Sequence, residues 1–267
     1  MLLSMLWGVV PMLVFGQVRH QNHRLLDIQQ SYAQGEISAD AAVLEQFQLL
    51  YEPDASQKTI HKCATPAFMF LQAHKSQLSS QTLAKVEAYK HSDSMAEAAT
   101  PQLSYISPSG KFEILYDTTG VDSVSVVDED GNGIPDYIDH VAFAADSSYR
   151  HEVETIGFSD PIPPGSTYKI YVEEVTFGAY GYTESTTDPG AQTKIYIEND
   201  FDGFPPNKHP EGNQIGSIYA TIAHEFKHAI QYRQNRWKKP SGGFNWSEMD
   251  ATLMEEEVFD DVNDYYN

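Results

Sequence analysis

Ile218–Ile230 reads I-Y-A-T-I-A-H-E-F-K-H-A-I, an apolar run interrupted by His224, Glu225, Lys227 and His228. Ile222, Ala223, Phe226, Ala229 and Ile230 surround the polar residues at helical spacing, which predicts a buried helix over Ile218–Gln234. Two histidines four positions apart project from one helical face about one turn apart, as two imidazoles must to reach adjacent tetrahedral positions on one Zn(II). Glu225 follows His224 directly and stands beside the open coordination position. There it can take a proton from attacking water and deliver it to a leaving amine. Two imidazoles and a carboxylate are costly to bury in such a helix unless a metal or hydrogen bonds satisfy them. The rival reading is a histidine pair satisfied by its neighbours alone.

A catalytic zinc needs a third protein ligand. Glu248 lies on the next predicted helix, Trp246–Val262, after a turn written in Lys239, Pro240, Ser241, Gly242 and Gly243. Glu255, seven residues further, shares a face with Glu248 and is the competing candidate. Glu256, Glu257, Asp260 and Asp261 read as a solvated acidic face.

Upstream, residues 128–139 read D-E-D-G-N-G-I-P-D-Y-I-D. Asp128, Asp130, Asn132, Asp136 and Asp139 fall where an EF-hand-type loop places oxygen ligands for calcium, Gly133 allows the sharp turn, and Ile134 would contribute its carbonyl. Pro135 removes a backbone N–H that paired EF-hands share, and Ser123–Val127 reads as a strand in place of an entering helix. A solitary calcium loop, strand in and helix out, with a structural role is therefore expected.

The rest of the chain divides near residue 105. From Asn22 to Ser92 the pattern is helical, with Ser38 and Ser79 or Ser80 as caps, and Ser92–Gly110 reads as a linker. Beyond it come short strands at Phe112–Tyr116, Tyr168–Val172 and Lys194–Ile197, and a helix at Tyr137–Ile156. The expected class is α+β: a helical segment over 17–104, then a domain over 105–267 built from a small mixed sheet, the active-site helix and the glutamate helix. Met1–Gly16 is an apolar run of signal-peptide length containing Pro11, which predicts export and, after cleavage, no stable membrane span.

Composition closes off other classes. The 267 residues carry 38 acidic against 17 basic side chains, a formal charge of −21, which argues against nucleic acid or an anionic membrane as partner. Cys63 is the single cysteine, so an internal disulfide and a cysteine-based zinc ribbon are both excluded. Cys63 itself is either an inert buried thiol, the commoner case, or a thiolate that fills zinc's fourth position and keeps an enzyme latent.

Taken together, PSGKFEILYDTTG from Pro108, the NGIPDYID loop, IYIENDF from Ile195, AHEFKHAIQ from Ala223 and WSEMDATLMEEEVFDDVNDYY from Trp246 resemble a family of secreted bacterial zinc metalloproteases of the HExxH, gluzincin-like kind. That family is loosely related to the immune inhibitor A type. The resemblance implies a zincin-like catalytic domain and hydrolysis of peptide bonds in a protein or peptide substrate. It implies zinc held by His224, His228 and Glu248, and Glu225 as the base. It also implies a strand before the active-site helix that holds substrate at a sheet edge, for which Thr193–Glu198 is the candidate. Proteases of this kind need more chain than the 19 residues after Glu248 to complete the cleft and supply an oxyanion-stabilising group, so C-terminal truncation is expected, with Tyr265 and Tyr266 undistinguished. The competing functional class is a non-catalytic, calcium-bound surface or adhesion module with a degenerate site, and zinc-activated water could also cut esters or other amides.

Overall fold

A computed structural model of the chain describes residues 22–52, 60–93, 101–186, 192–238 and 244–263. The expected signal segment Met1–Gly16, the turn at Lys239–Gly243, and Tyr265 and Tyr266 lie outside the described residues.

Among the described residues four helices come first: α1 (Asn22–Ala33), α2 (Ala39–Tyr51), α3 (Thr65–His74) and α4 (Ser80–Asp93). Ser38 caps α2 by accepting the Ala41 N–H at 3.1 Å, and Ser79 caps α4 by accepting that of Thr82 at 3.2 Å. Asp40 in the first turn of α2 ties the two together, since its carboxylate accepts both the N–H and the hydroxyl of Ser79. Pro66 sits in the first turn of α3, where its missing N–H costs nothing.

The strands are β1 (Leu103–Ile106), β2 (Phe112–Tyr116), β3 (Tyr168–Glu173), β4 (Gly181–Ser185) and β5 (Thr193–Glu198), and they form one mixed sheet in the order β1-β2-β3-β5-β4. β2, β3 and β5 run parallel, while β1 and β4 are antiparallel strands on the two edges. Between β2 and β3 lies α5 (Asp136–Ser148), which passes into a π-helical turn over Tyr149–Thr155. After β5 come α6 (Asn213–Arg233) and α7 (Phe244–Val258).

Two apolar clusters hold this arrangement. In the first, Phe112, Ile114, Tyr168, Ile170, Ile195 and Ile197 from one sheet face pack on Ile138 and Val141 of α5 and Ile218, Ile222 and Phe226 of α6. Phe226 is the hub, with the rings of Phe112, Tyr149 and Tyr168 all within 6.2 Å of its centroid. In the second, Leu25, Val43, Phe47, Phe68 and Phe70 of the N-terminal helices pack against Val175, Phe177, Ala179 and Tyr182, so the helical segment is seated on the β4 edge of the sheet. In β3 and β5 burial alternates with period two, which turns Tyr168, Ile170, Ile195 and Ile197 toward the first cluster.

Four expectations need correction. Thr193–Glu198 is not an edge: β5 is paired on both sides, and β4, which the sequence pattern left unassigned, takes the edge. The expected linker over Ser92–Gly110 contains β1, recruited by pairing with β2 although its own side chains are mostly exposed. Ser123–Val127 is no ladder strand, its β-pairing among the described residues being a single bridge between Ser123 and Asp117. The helix predicted over Tyr137–Ile156 is α-helical only to Ser148.

Gly181 permits the close approach of β4 to the helix behind it. A Cβ there would stand 2.7 Å from the Tyr196 carbonyl oxygen and 2.8 Å from Thr221 Cγ2 on α6. Among the described residues no helix is long and apolar enough to cross a membrane.

Candidate metal centre

α6 is buried along nearly its whole length, from Gly216 to Gln231, because sheet, α5 and α7 all pack on it. The HExxH residues therefore sit in the interior, with His228 and Glu225 fully buried and His224 nearly so. Helical geometry turns the two imidazoles toward one point, and their Nε2 atoms stand 3.1 Å apart. Glu248 on α7 closes on the same point, Oε1 at 3.0 Å from His228 Nε2 and Oε2 at 3.6 Å from His224 Nε2. The fourth approach comes from a residue 165 positions upstream: Cys63 Sγ lies 3.5 Å from His228 Nε2.

Cys63, His224, His228 and Glu248 each present one ligand atom, all within 4.8 Å of one another, so this buried cluster could hold a metal ion. Its spacing matches tetrahedral zinc. Bonds of about 2.05 Å to nitrogen and about 2.3 Å to sulfur put two nitrogens roughly 3.3 Å apart and a nitrogen and a sulfur roughly 3.6 Å apart. Glu248 turns both carboxylate oxygens toward the two Nε2 atoms, as a group aimed at a shared cation would.

The outer ring of the site orients the imidazoles. His224 Nδ1 is 2.6 Å from Glu255 Oε1, and His228 Nδ1 is 2.9 Å from Gln231 Oε1. Both partners are acceptors, so each ring donates from Nδ1 and turns Nε2 inward. Gln231 is held by donating to the Ser247 carbonyl and the Asp250 carboxylate, and Lys62 lies 2.7 Å from Glu255 Oε2. Glu255, the competing candidate for third ligand, thus has the orienting position, and Glu248 the inward one.

Without a metal the cluster's charges hold one another. Burial opposes charge on His224, but Glu248 and Glu255 outweigh it and raise its imidazolium to about 10. Burial likewise works against a charged Glu248, yet the adjoining His228 and His224 lower it to about 2. Burial and the carboxylates of Glu225 and Glu248 push the Cys63 thiol up. A divalent cation would reverse that last preference by supplying the positive charge the thiolate lacks.

Glu225 points away from its helix toward β4. Its Oε2 accepts from the hydroxyl of Thr65 at 2.7 Å, and the Thr183 hydroxyl stands equally close, while its buried Oε1 has no hydrogen-bond partner. Thr65 is fixed in turn by accepting the Thr183 N–H at 2.7 Å.

The calcium-loop residues lie elsewhere, on a surface turn leading into α5. Asn132 gathers it: its N–H donates to Asp128 and Asp130, and its side-chain amide to Asp130 Oδ2 at 3.1 Å and Asp139 Oδ2 at 2.8 Å. Asp136 faces back, accepting the Glu129 N–H at 3.0 Å, and Gly133 adopts the positive φ that the turn requires.

Four of the expected site residues, His224, Glu225, His228 and Glu248, are thus brought together. Lys62, Thr65, Thr183 and Gln231 were not anticipated, and only Gln231, at i+3 from His228, carried a local signal. No protein-family model, curated protein or solved structure matches this chain.

Proposed function

We propose that the chain is a zinc-dependent metallopeptidase with a zincin-like domain, exported from its cell and stabilised by calcium in the 128–139 loop. The observation that carries this reading is the convergence of His224 Nε2, His228 Nε2 and Glu248 on one point with the Glu225 carboxylate buried alongside. Bound zinc would supply a Lewis acid that acidifies water and polarises a carbonyl. His224, His228 and Glu248 would hold it, and Glu255 and Gln231 would keep the imidazoles aligned. Glu225 would accept a proton from attacking water on its carboxylate and return it to the departing amine nitrogen. β4, whose Thr183 hydroxyl meets the Glu225 carboxylate, would be the strand along which an extended peptide lies once residues 60–65 leave that edge.

A second reading has one observation in its favour. A cysteine beside two histidines and a carboxylate makes a closed four-donor set, which suits a structural zinc in a non-catalytic, calcium-bound surface module. Such a site has no use for a buried carboxylate at Glu225.

The deciding experiment is hydrolysis of a fluorogenic peptide library by metal-loaded protein in the Cys63→Ala background, with Cys63→Ala/Glu225→Gln as control. Cleavage lost in the control at unchanged zinc content supports the peptidase. Absence of cleavage of both peptides and model esters by zinc-bearing protein would favour the surface module.

A further inference from the structure

We propose that Cys63 is the fourth ligand of the metal centre, and that residues 60–65 occupy the substrate edge of the sheet as a built-in strap that keeps the enzyme latent. The inference rests on the metallopeptidase reading above.

The strap is held as an added strand would be. His61 pairs in parallel with Ala179: its N–H donates to the Gly178 carbonyl at 2.8 Å, and its carbonyl accepts the Tyr180 N–H at 3.0 Å. Ala64 donates to the Gly181 carbonyl at 3.3 Å, and the Thr183 N–H is taken by Thr65 Oγ1. These are backbone groups of the β4 edge and its approach, the ones an incoming peptide would need. With the segment in place they are satisfied and unavailable.

Three side chains of the strap meet three parts of the site. Cys63 is fully buried, and its sulfur accepts the Thr65 N–H at 3.3 Å, which holds it against His228 Nε2 at 3.5 Å. That separation is what a shared zinc would impose on sulfur and nitrogen. Thr65 hydrogen-bonds the Glu225 carboxylate, the group that must receive a proton during turnover. Lys62 lies against Glu255, which aligns His224. An inert buried thiol would need no such company.

Ligation by the thiolate would complete a tetrahedral shell and leave no position for water. Seating is reinforced downstream, where Phe68 of α3 stacks on Tyr182 at 4.9 Å and α1–α4 pack on Val175, Phe177 and Ala179. Opening the site therefore requires first freeing the fourth position of its thiolate, by capture or removal of the thiol or by cleavage within the N-terminal segment, after which residues 60–65 can yield β4 to a peptide.

Cobalt(II) loaded into the full chain tests this, since thiolate ligation gives a sulfur-to-cobalt charge-transfer band in the near ultraviolet that nitrogen and oxygen ligands do not. Wild type should bind one cobalt with that band, and Cys63→Ala and Cys63→Ser should each lose the band. Cys63, being the single cysteine, should also react with a disulfide reagent far more slowly in the metal-loaded chain than in the folded, metal-free chain. Peptide hydrolysis should rise about tenfold or more in Cys63→Ala as the fourth position opens. One bound cobalt without the band in wild type would overturn the inference and leave the metallopeptidase reading standing. Equal hydrolysis by wild type and Cys63→Ala would overturn latency. Failure of wild type to bind cobalt or zinc at all would overturn both. The wild-type spectrum decides ligation even where the variants do not fold.

Discussion

His224 Nδ1 and Glu255 Oε1 stand 2.6 Å apart in the interior, the one on α6 and the other two turns beyond Glu248 on α7. Glu248 and Glu255 thus share a helix face but differ in what they touch, the first reaching the inner nitrogens and the second the outer one. Glu248→Ala should abolish stoichiometric zinc binding. Glu255→Gln should retain zinc with affinity weakened about 10- to 100-fold, the usual effect of disturbing a carboxylate behind a ligating histidine. Chelator competition with metal mass spectrometry measures both, and zinc kept by Glu248→Ala but lost by Glu255→Gln would reverse the assignment.

Glu225→Gln keeps the shape of the side chain and its contacts with the Thr65 and Thr183 hydroxyls while removing the proposed proton acceptor. In the Cys63→Ala background kcat should fall about 10²- to 10⁴-fold with zinc content and melting temperature unchanged. A fall in zinc content parallel to the fall in rate would mean that Glu225 serves the metal and not the proton.

Glu198 should make stability pH-dependent. Burial raises its carboxyl to about 7, with Glu174 and Asp200 adding to the effect against the hydrogen bond from the Val175 N–H. A group whose folded value is raised contributes stability that is present below its unfolded value of 4.5 and lost as pH climbs through 7. Glu198→Gln removes the charge yet can still accept from Val175. The variant should gain on the order of 2 kcal/mol over wild type at pH 8 and nothing at pH 4. Urea titrations at the two pH values check this, and an equal effect at both would exclude Glu198 as the cause.

Calcium should stabilise the domain through the turn that leads into α5. At 100 times its dissociation constant it contributes about 2.7 kcal/mol, a rise of roughly 5–10 °C in melting temperature for a domain of this size. The rise should vanish in Asp128→Ala and Asp130→Ala, whose carboxylates accept from Asn132. Scanning calorimetry with and without calcium measures it, and an undiminished shift in both variants would place calcium elsewhere.

Gly181→Ala should destabilise the chain by about 1–3 kcal/mol, because the new Cβ would meet a backbone oxygen, Tyr196 O, at 2.7 Å. Thermal unfolding is the measurement. A neutral result would show that β4 can move off α6 at little cost.

How much of this was legible beforehand follows from the range of each signal. The burial of α6 and the pairing of its histidines are written within one helix, where spacing alone sets direction. The Asp-rich turn at 128–139 is similarly self-contained, and Asn132 closes it from within. β1 and β4 were missed because β1 is mostly exposed and β4 has Gly, Thr, Glu and Ser among its five residues, so neighbours and not propensity make them strands. The edge position that the family resemblance implies for β5 falls to β4 instead, because apolar alternation identifies a strand but carries nothing about what lies beside it.

By itself, then, the amino-acid sequence determined the α+β class, the helix that carries His224, Glu225 and His228, and a short set of carboxylates to complete the site. Tertiary structure set Glu248 against the two Nε2 atoms and Glu255 against Nδ1 of His224, and brought the cysteine into the cluster. It also set Thr65 on Glu225 across 160 positions of chain. The physical reason is that local periodicity dictates which way a side chain faces from its own element, whereas its partner is chosen by packing between elements distant in sequence.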